Sequence, residues 1–414
     1  MKTSVAWLAV LLAGTAPVAP ALSAPQAPSA AAAPVGDEDA LFELRRRFID
    51  NAFTALTFQT MNKIFQSQTV AAGDGATPLP RAEHPLDFTY AFDGQTRTTD
   101  GAMARTFTSA LLVMKDGKIV FERYRNLSDE QTRFLSMSAS KSITSILIGI
   151  AIDRGAIRSV NDLLTAYVPE LKGSAYDGVT IRQALDMKTG VDRNDGAQLK
   201  PGTPDAARRE EMLVRNARPL VDEALMVARK APPGGAFEYT TLNVTVLGWV
   251  LERATGETIT AFTEKYLWKP LGAEASAYWI TDGPGAKGRP MNGMGFNATL
   301  RDYARIGQMM LDGGRANGRQ IVSERWVAES TGGPHPAFSP GGQRGYQYLW
   351  WTVAGTPAYM ADGMGGQYIY VDPTTRTVIV KLSHVPIGNG KAFAEGMALM
   401  QAAAKWQPGA AAGE

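Results

Sequence analysis

The chain has 414 residues, with 42 Lys+Arg against 40 Asp+Glu. A net charge of +2 gives no electrostatic reason to expect nucleic acid or an acidic polymer as partner. There is no cysteine, which excludes disulfides, thiolate metal sites, cysteine nucleophiles and lipid anchoring through Cys, and the three histidines, His84, His335 and His384, are too few to suggest a multi-histidine zinc centre.

The first residues read MKTSVAWLAVLLAGTAPVAPALSAPQ. Lys2 precedes a short apolar core from Val5 to Ala13 and then small residues and prolines, the layout of a secretory signal peptide over 1–24. Cleavage after Ala24 or Ala21 fits, with an uncleaved anchor as the alternative. Export to the periplasm or medium is the expectation, and a cysteine-free chain tolerates an oxidising compartment. Residues 25–38 are an Ala/Pro-rich linker.

Leu41, Leu44, Phe48, Phe53 and Leu56 recur at helical spacing, which predicts an amphipathic helix over 39–66 inside an N-terminal extension, 39–105. SALLVMKDGKIVFERY then gives two β-prone runs about Lys115-Asp116-Gly117, a hairpin. FLSMSASKSITSILIGIAID follows, an apolar helix with Gly155 as its stop. Short helices and loops fill 161–290, including a helix over 246–254, and 301–312 is helical. Runs over 346–353, 367–371 and 377–382 are β-like, and 391–406 closes as a helix. Two early strands, three late ones and a helical middle predict one antiparallel sheet, from 106–160 and 291–408, carrying an inserted helical subdomain.

Lys141 lies three residues after Ser138, a spacing that shares a helix face. The run Ile146-Leu147-Ile148-Gly149-Ile150-Ala151-Ile152 is apolar all round, so this helix runs through the core. Lys141 at its N-terminal end is then partly desolvated, and burial and the positive helix end both disfavour the ammonium form. A neutral amine beside a hydroxyl is a base beside a nucleophile. Ser138 as a helix cap with Lys141 reaching solvent is the bland reading, and these residues alone leave both open. Tyr239, in EYTTLNVTVLGWVLE, sits at a loop-to-helix boundary suited to proton transfer, with Asn243 four residues on. MADGMGGQYIYVDP places glycines at the start of a β-run, where a second chain or a substrate can approach closely.

Ser138-Ala-Ser-Lys141, then Tyr239, then the glycine-rich edge strand resemble the penicillin-recognising serine hydrolases, the group of β-lactamases, D-alanyl-D-alanine carboxypeptidases and class C-like esterases. The phrasing looks closest to the 6-aminohexanoate-dimer hydrolase and esterase branch, over roughly 105–405. The resemblance implies a β-lactamase/transpeptidase-like α/β (α+β) fold, an antiparallel sheet flanked by helices plus the helical subdomain. It implies a cofactor-free, metal-free hydrolase of a small-molecule ester or amide. Ser138 would be the acylated nucleophile, Lys141 its base and Tyr239 the proton relay. Asn243 would stand near the tyrosine, although the usual Tyr-x-Asn reads Tyr239-Thr240-Thr241. The third motif would be Ala361-Asp362-Gly363, with Met364 giving the second oxyanion-hole N–H beside that of Ser138. A β-lactamase or D,D-peptidase, and a catalytically silent cell-wall binder of the same fold, are the alternatives.

DMKTGVD contains a literal Lys188-Thr189-Gly190, but it precedes the tyrosine and falls in the helical insertion, so it reads as a structural turn. There is no Gly-x-Ser-x-Gly elbow. Members of the family that handle β-lactams well place a lysine or histidine where Ala361 and Asp362 stand, so poor β-lactam turnover is implied. The aminohexanoate-dimer enzymes often carry an acidic-plus-tyrosine pair where 192–196 reads Asp-Arg-Asn-Asp-Gly, and the missing tyrosine argues against nylon-oligomer hydrolysis. Trp350, Trp351 and Tyr348 are candidates to line the cleft.

Overall fold

Alternation along the strands decides how the molecule is layered. In the strand Thr108–Lys115, Ala110, Leu112 and Met114 face one apolar cluster, while Leu111 and Val113 face another. All eight residues are buried, because both faces of the sheet are covered. This strand and Lys118–Tyr124 form the expected hairpin, and its turn is made by Asp116 and Gly117, both at positive φ. In the computed structural model, which describes residues 37–284, 287–332 and 344–409, the sheet has seven antiparallel strands. Their spatial order is Arg344–Gln347, Trp350–Val353, Tyr359–Gly363, Gln367–Asp372, Thr377–Ser383, Thr108–Lys115, Lys118–Tyr124. The last strand in sequence thus pairs with the first, and the helical region lies between the two halves along the chain.

Two differences from the sequence reading have tertiary causes. The run 346–353 is two strands, not one. Tyr348 and Leu349 both take positive φ and turn the chain, an unfavourable choice for non-glycine residues. Tertiary bonds hold them there: Tyr348 N–H donates to Asp186 Oδ1 at 3.1 Å and Leu349 N–H to Leu185 O at 3.0 Å. Tyr348 and Trp350 are buried in the core, so they do not line the cleft.

The helix expected over 39–66 is likewise broken into Asp37–Arg47, Thr54–Thr57 and Met61–Ile64, and the chain then enters a strand, Ser67–Val70. Leu44 and Leu56, two of the residues that set the apparent period, are 52% and 64% exposed, whereas Phe48, Ile49 and Phe58 are buried. The burial follows what the extension packs on, not a single helical stripe. Ser67–Val70 is an edge of a second, four-stranded antiparallel sheet with Ala277–Ile280, Phe296–Ala298 and Phe134–Leu135. The described residues from Leu41 onward pack as one compact unit. The expected signal peptide, the linker up to residue 36 and His335 lie outside the described residues.

The helix Ala139–Asp153 is buried from Ala139 to Ala151 and packs between the sheet and the helix Thr241–Thr255. Leu300–Leu311 covers the same face of the sheet, and Gly390–Lys405 covers the other.

Candidate active site

The serines crowded before the buried helix divide by what they touch. Ser136 and Ser140 are buried with their hydroxyls 2.6 Å apart, and Ser140 Oγ accepts from Phe296 N–H at 3.0 Å. Ser142 donates to Leu349 O at 2.7 Å and Thr144 to Asn292 O at 2.9 Å. Small hydroxyls on this helix satisfy irregular backbone that crosses it, where an unpaired carbonyl or N–H would be costly. Ser138 is different. It stands at the N-cap without capping the helix, and its hydroxyl accepts from Lys141 Nζ at 3.0 Å. The residue before it, Met137, takes φ +46°. Strain of this kind next to a helix start aims one side chain out of the chain's path.

Lys141 is 1% exposed. Besides Ser138, its ammonium nitrogen donates to Thr241 Oγ1 at 2.9 Å and to Gly293 O at 2.8 Å. Burial lowers its pKa to about 8, against the opposing pull of Asp195. Tyr239 is half-buried, hydrogen-bonded to Ser138, with its ring centroid 5.1 Å from Lys141 Nζ. Burial pushes its phenol well above the usual value, so it stays protonated and can donate. A neutral Lys141 can take the proton of Ser138, and Tyr239 can supply one to a departing atom.

Asn243 is not brought to this group. It is fully buried, and its Oδ1 accepts from Tyr176 Oη and Thr189 Oγ1, both at 2.9 Å. On the helix Thr241–Thr255 it faces the loop of the Lys188-Thr189-Gly190 string, and it fastens that loop. Thr241, two residues after Tyr239, stands by the lysine instead. It accepts from Lys141 and donates to Asp195 Oδ2 at 2.6 Å, while its N–H donates to the same oxygen at 2.8 Å. Asp195 is held in turn by Arg193 at 3.1 Å. The signal for Thr241 was its place in the Tyr-x-Asn slot; Asp195 falls in the acidic segment 192–196, which entered the sequence reading only through its missing tyrosine, and nothing local pointed to Gly293. Lys188 is exposed and Gly190 has φ +71°, with the backbone of Ala231 where a side chain would go.

Gly363 ends its strand against the turn before the nucleophile. A Cβ there would collide with Ser136 O and press on Met137 Cβ at 3.1 Å. The glycine is what lets the end of this strand approach Ser138 so closely; the strand and its neighbour Gln367–Asp372 are third and fourth of seven, interior to the sheet and not the edge expected from the sequence. Among the described residues, the N–H groups of Ser138 and Met364 have no acceptor, and Met364 and Ser138 line one cavity. Gly363→Ala is accordingly expected to cost about 1–3 kcal/mol of stability, as overpacking does. Urea unfolding checks it, and an unchanged midpoint would show that the strand can step back freely.

Asp362, in the third motif, forms an ion pair with Arg344, which also bonds Tyr368 and lies over the Trp351 ring at 5.5 Å. Trp351 in turn stacks on Tyr239 with centroids 5.8 Å apart. Of the three aromatics expected at the cleft it is the one stacked on Tyr239, but it does not line the cavity over Ser138. His384 bonds Ser109 at 3.1 Å and packs edge-on to Phe107, away from the serine. Among the described residues no group of acids and histidines could hold a metal ion.

The cavity over Ser138 has a volume of about 280 Å³. The extension supplies Phe48 and Ile49 to its wall, with Leu199, Leu213 and Met294 from elsewhere. The residues 39–105 thus shape the site.

The Beta-lactamase family model matches residues 96–404. The 6-aminohexanoate-dimer hydrolase of Paenarthrobacter ureafaciens is 32% identical over 346 residues, spanning 80% of this chain and 85% of that protein. Esterase EstB of Burkholderia gladioli is 28% identical over 195 residues, 41% of this chain and 46% of its own. A solved Bacillus anthracis structure, assigned as a 6-aminohexanoate-dimer hydrolase, superposes with a TM-score of 0.77 at 24% identity, covering 87% of this chain and 96% of that one. The expected fold class is therefore the observed one, and the chain belongs to the beta-lactamase family, as a serine hydrolase.

Proposed function

We propose that the protein is an exported hydrolase that cleaves a small-molecule ester or amide through an acyl-enzyme on Ser138. The observation that carries this reading is the 3.0 Å bond between Ser138 Oγ and a buried Lys141 whose pKa is lowered to about 8. Roughly one lysine in ten is then neutral at pH 7. The neutral amine takes the hydroxyl proton as Ser138 Oγ adds to the carbonyl carbon. The N–H groups of Ser138 and Met364 receive the oxyanion. Collapse expels the leaving atom, which leaves with a proton passed from Lys141 through Tyr239. Water then adds to the acyl carbon, giving up its proton to the same pair; collapse breaks the bond to Ser138 Oγ, which takes that proton back as the acid departs. Export is supported by the N-terminal sequence; among the described residues no helix is long and apolar enough to cross a membrane.

For the substrate, short-chain esters are favoured over β-lactams. At the third motif, Asp362 and Arg344 neutralise each other, leaving no free lysine or histidine for a drug carboxylate. The missing charged hydrogen bond is worth about 1–3 kcal/mol. Linear 6-aminohexanoate dimer should be hydrolysed weakly or not at all, since 192–196 has no tyrosine. The test is kcat/KM for p-nitrophenyl butyrate, nitrocefin and the dimer on one preparation, expected to be far highest for the butyrate. Nitrocefin turning over faster would transfer the chain to the β-lactamases. A protein that turned over none of them and took up no fluorophosphonate would be a silent wall binder.

A further inference from the structure

One charge on the wall of the Ser138 cavity is used by no step of this chemistry. Arg209 begins the short segment Arg209–Val214 and lines the cavity beside Phe48, Leu199 and Leu213. Its Nη2 donates to Arg46 O at 2.9 Å and Arg45 O at 3.4 Å, backbone carbonyls at the end of the helix Asp37–Arg47. Among the described residues no carboxylate pairs with it. The acids around the cavity are already committed. Glu210 is bound by Arg46 and Arg215, Asp50 by Arg47 at 2.7 Å, and Asp195 by Arg193 and Thr241. Burial pulls the Arg209 pKa down, and the charges of Glu210 and Asp50 only partly oppose it, though the group remains protonated.

Two carbonyls occupy one nitrogen of a group with five N–H donors in a fork that matches a carboxylate. Phe48, Ile49, Leu199 and Leu213 make the wall near it apolar, so a bound anion would be weakly screened there; the one carboxylate that lines the same cavity, Asp195, is already paired with Arg193 and Thr241. We propose that Arg209 determines specificity by binding a carboxylate carried on one arm of the substrate. The substrate class is then an ester with an apolar arm ending in a negative charge, which leaves the amide-linked 6-aminohexanoate dimer outside it. The inference rests on the reading of Ser138 as nucleophile, because it assumes that the reacting carbonyl sits in the same cavity.

The test uses anionic esters of both arms, p-nitrophenyl hydrogen glutarate for the acyl side and 4-butyryloxybenzoate for the leaving side, against neutral p-nitrophenyl butyrate. Arg209→Met should lower kcat/KM roughly 10–100-fold for at least one anionic ester, the worth of a charged hydrogen bond, and change the butyrate less than about threefold. Arg209→Lys, which keeps the charge without the fork, should recover part of the loss. On the unaltered enzyme, rising salt should raise KM for that anionic ester and not for the butyrate, a readout that does not depend on the variants folding. Equal losses for all three esters, or a KM indifferent to salt, would reduce Arg209 to a tether for the helix end. Failure of the underlying reading looks different: butyrate turnover would then survive Ser138→Ala.

Discussion

Ser138→Ala is expected to take up no fluorophosphonate or penicillin adduct, while Ser136→Ala and Ser140→Ala still label. The three serines lie within five residues, yet only Ser138 has an amine at 3.0 Å and faces the cavity. Ser136 and Ser140 hydrogen-bond to each other inside the core. Their loss should appear in stability, about 1 kcal/mol or somewhat more for a broken buried hydrogen bond, and not in acylation. Intact-mass spectrometry separates the cases, and an adduct persisting on the Ser138→Ala protein would sink the assignment of the nucleophile.

Lys141→Ala and Tyr239→Phe should each lower kcat/KM by roughly 10²–10⁴-fold, the usual range for general acid–base groups. Lys188→Ala, in the misleading Lys-Thr-Gly string, should leave it nearly unchanged, since that side chain is exposed. The pH profile gives a second check. With the Lys141 pKa near 8 and the neutral form acting, kcat/KM should climb as pH rises through about 8. Asp195 holds that pKa up, so Asp195→Asn should shift the acid limb to lower pH. An unchanged limb in Asp195→Asn would break the link between the two residues.

Stability distinguishes lost chemistry from lost folding in the lysine variant. The folded-state pKa of Lys141 lies below the unfolded value of about 10.4, so burying it opposes folding. That cost is full below about pH 8, shrinks between 8 and the unfolded value, and is gone above it. Removing the amine at neutral pH should therefore not cost the stability that removing a paired charge would. A crippled Lys141→Ala enzyme with an intact melting transition is the expected pair of results.

The sequence by itself determined whatever depends on neighbours along the chain. The Ser138–Lys141 spacing became a contact because one helical turn brings such residues together. The Asp116-Gly117 turn, the stop at Gly155 and the helices Leu300–Leu311 and Gly390–Lys405 are likewise local. Gly363 could be read as a point of close approach, though not what approaches it.

Tertiary structure decided what distant segments do to one another. Asn243 and Thr241 are two residues apart on one helix, and only the packing of that helix sends the first to Thr189 and the second to Lys141. Tyr348 and Leu349 carry no turn signal; the bonds from Asp186 and Leu185 hold their positive φ. The extension looked like one amphipathic helix because its apolar residues happen to recur at that interval. Its actual path is set by pairing Ser67–Val70 with Ala277–Ile280 and by burying Phe48 and Ile49 beside the nucleophile. Asp195 and Arg209 belong to the same class: each charge matters through what surrounds it in space, and a periodicity or a motif carries no record of that.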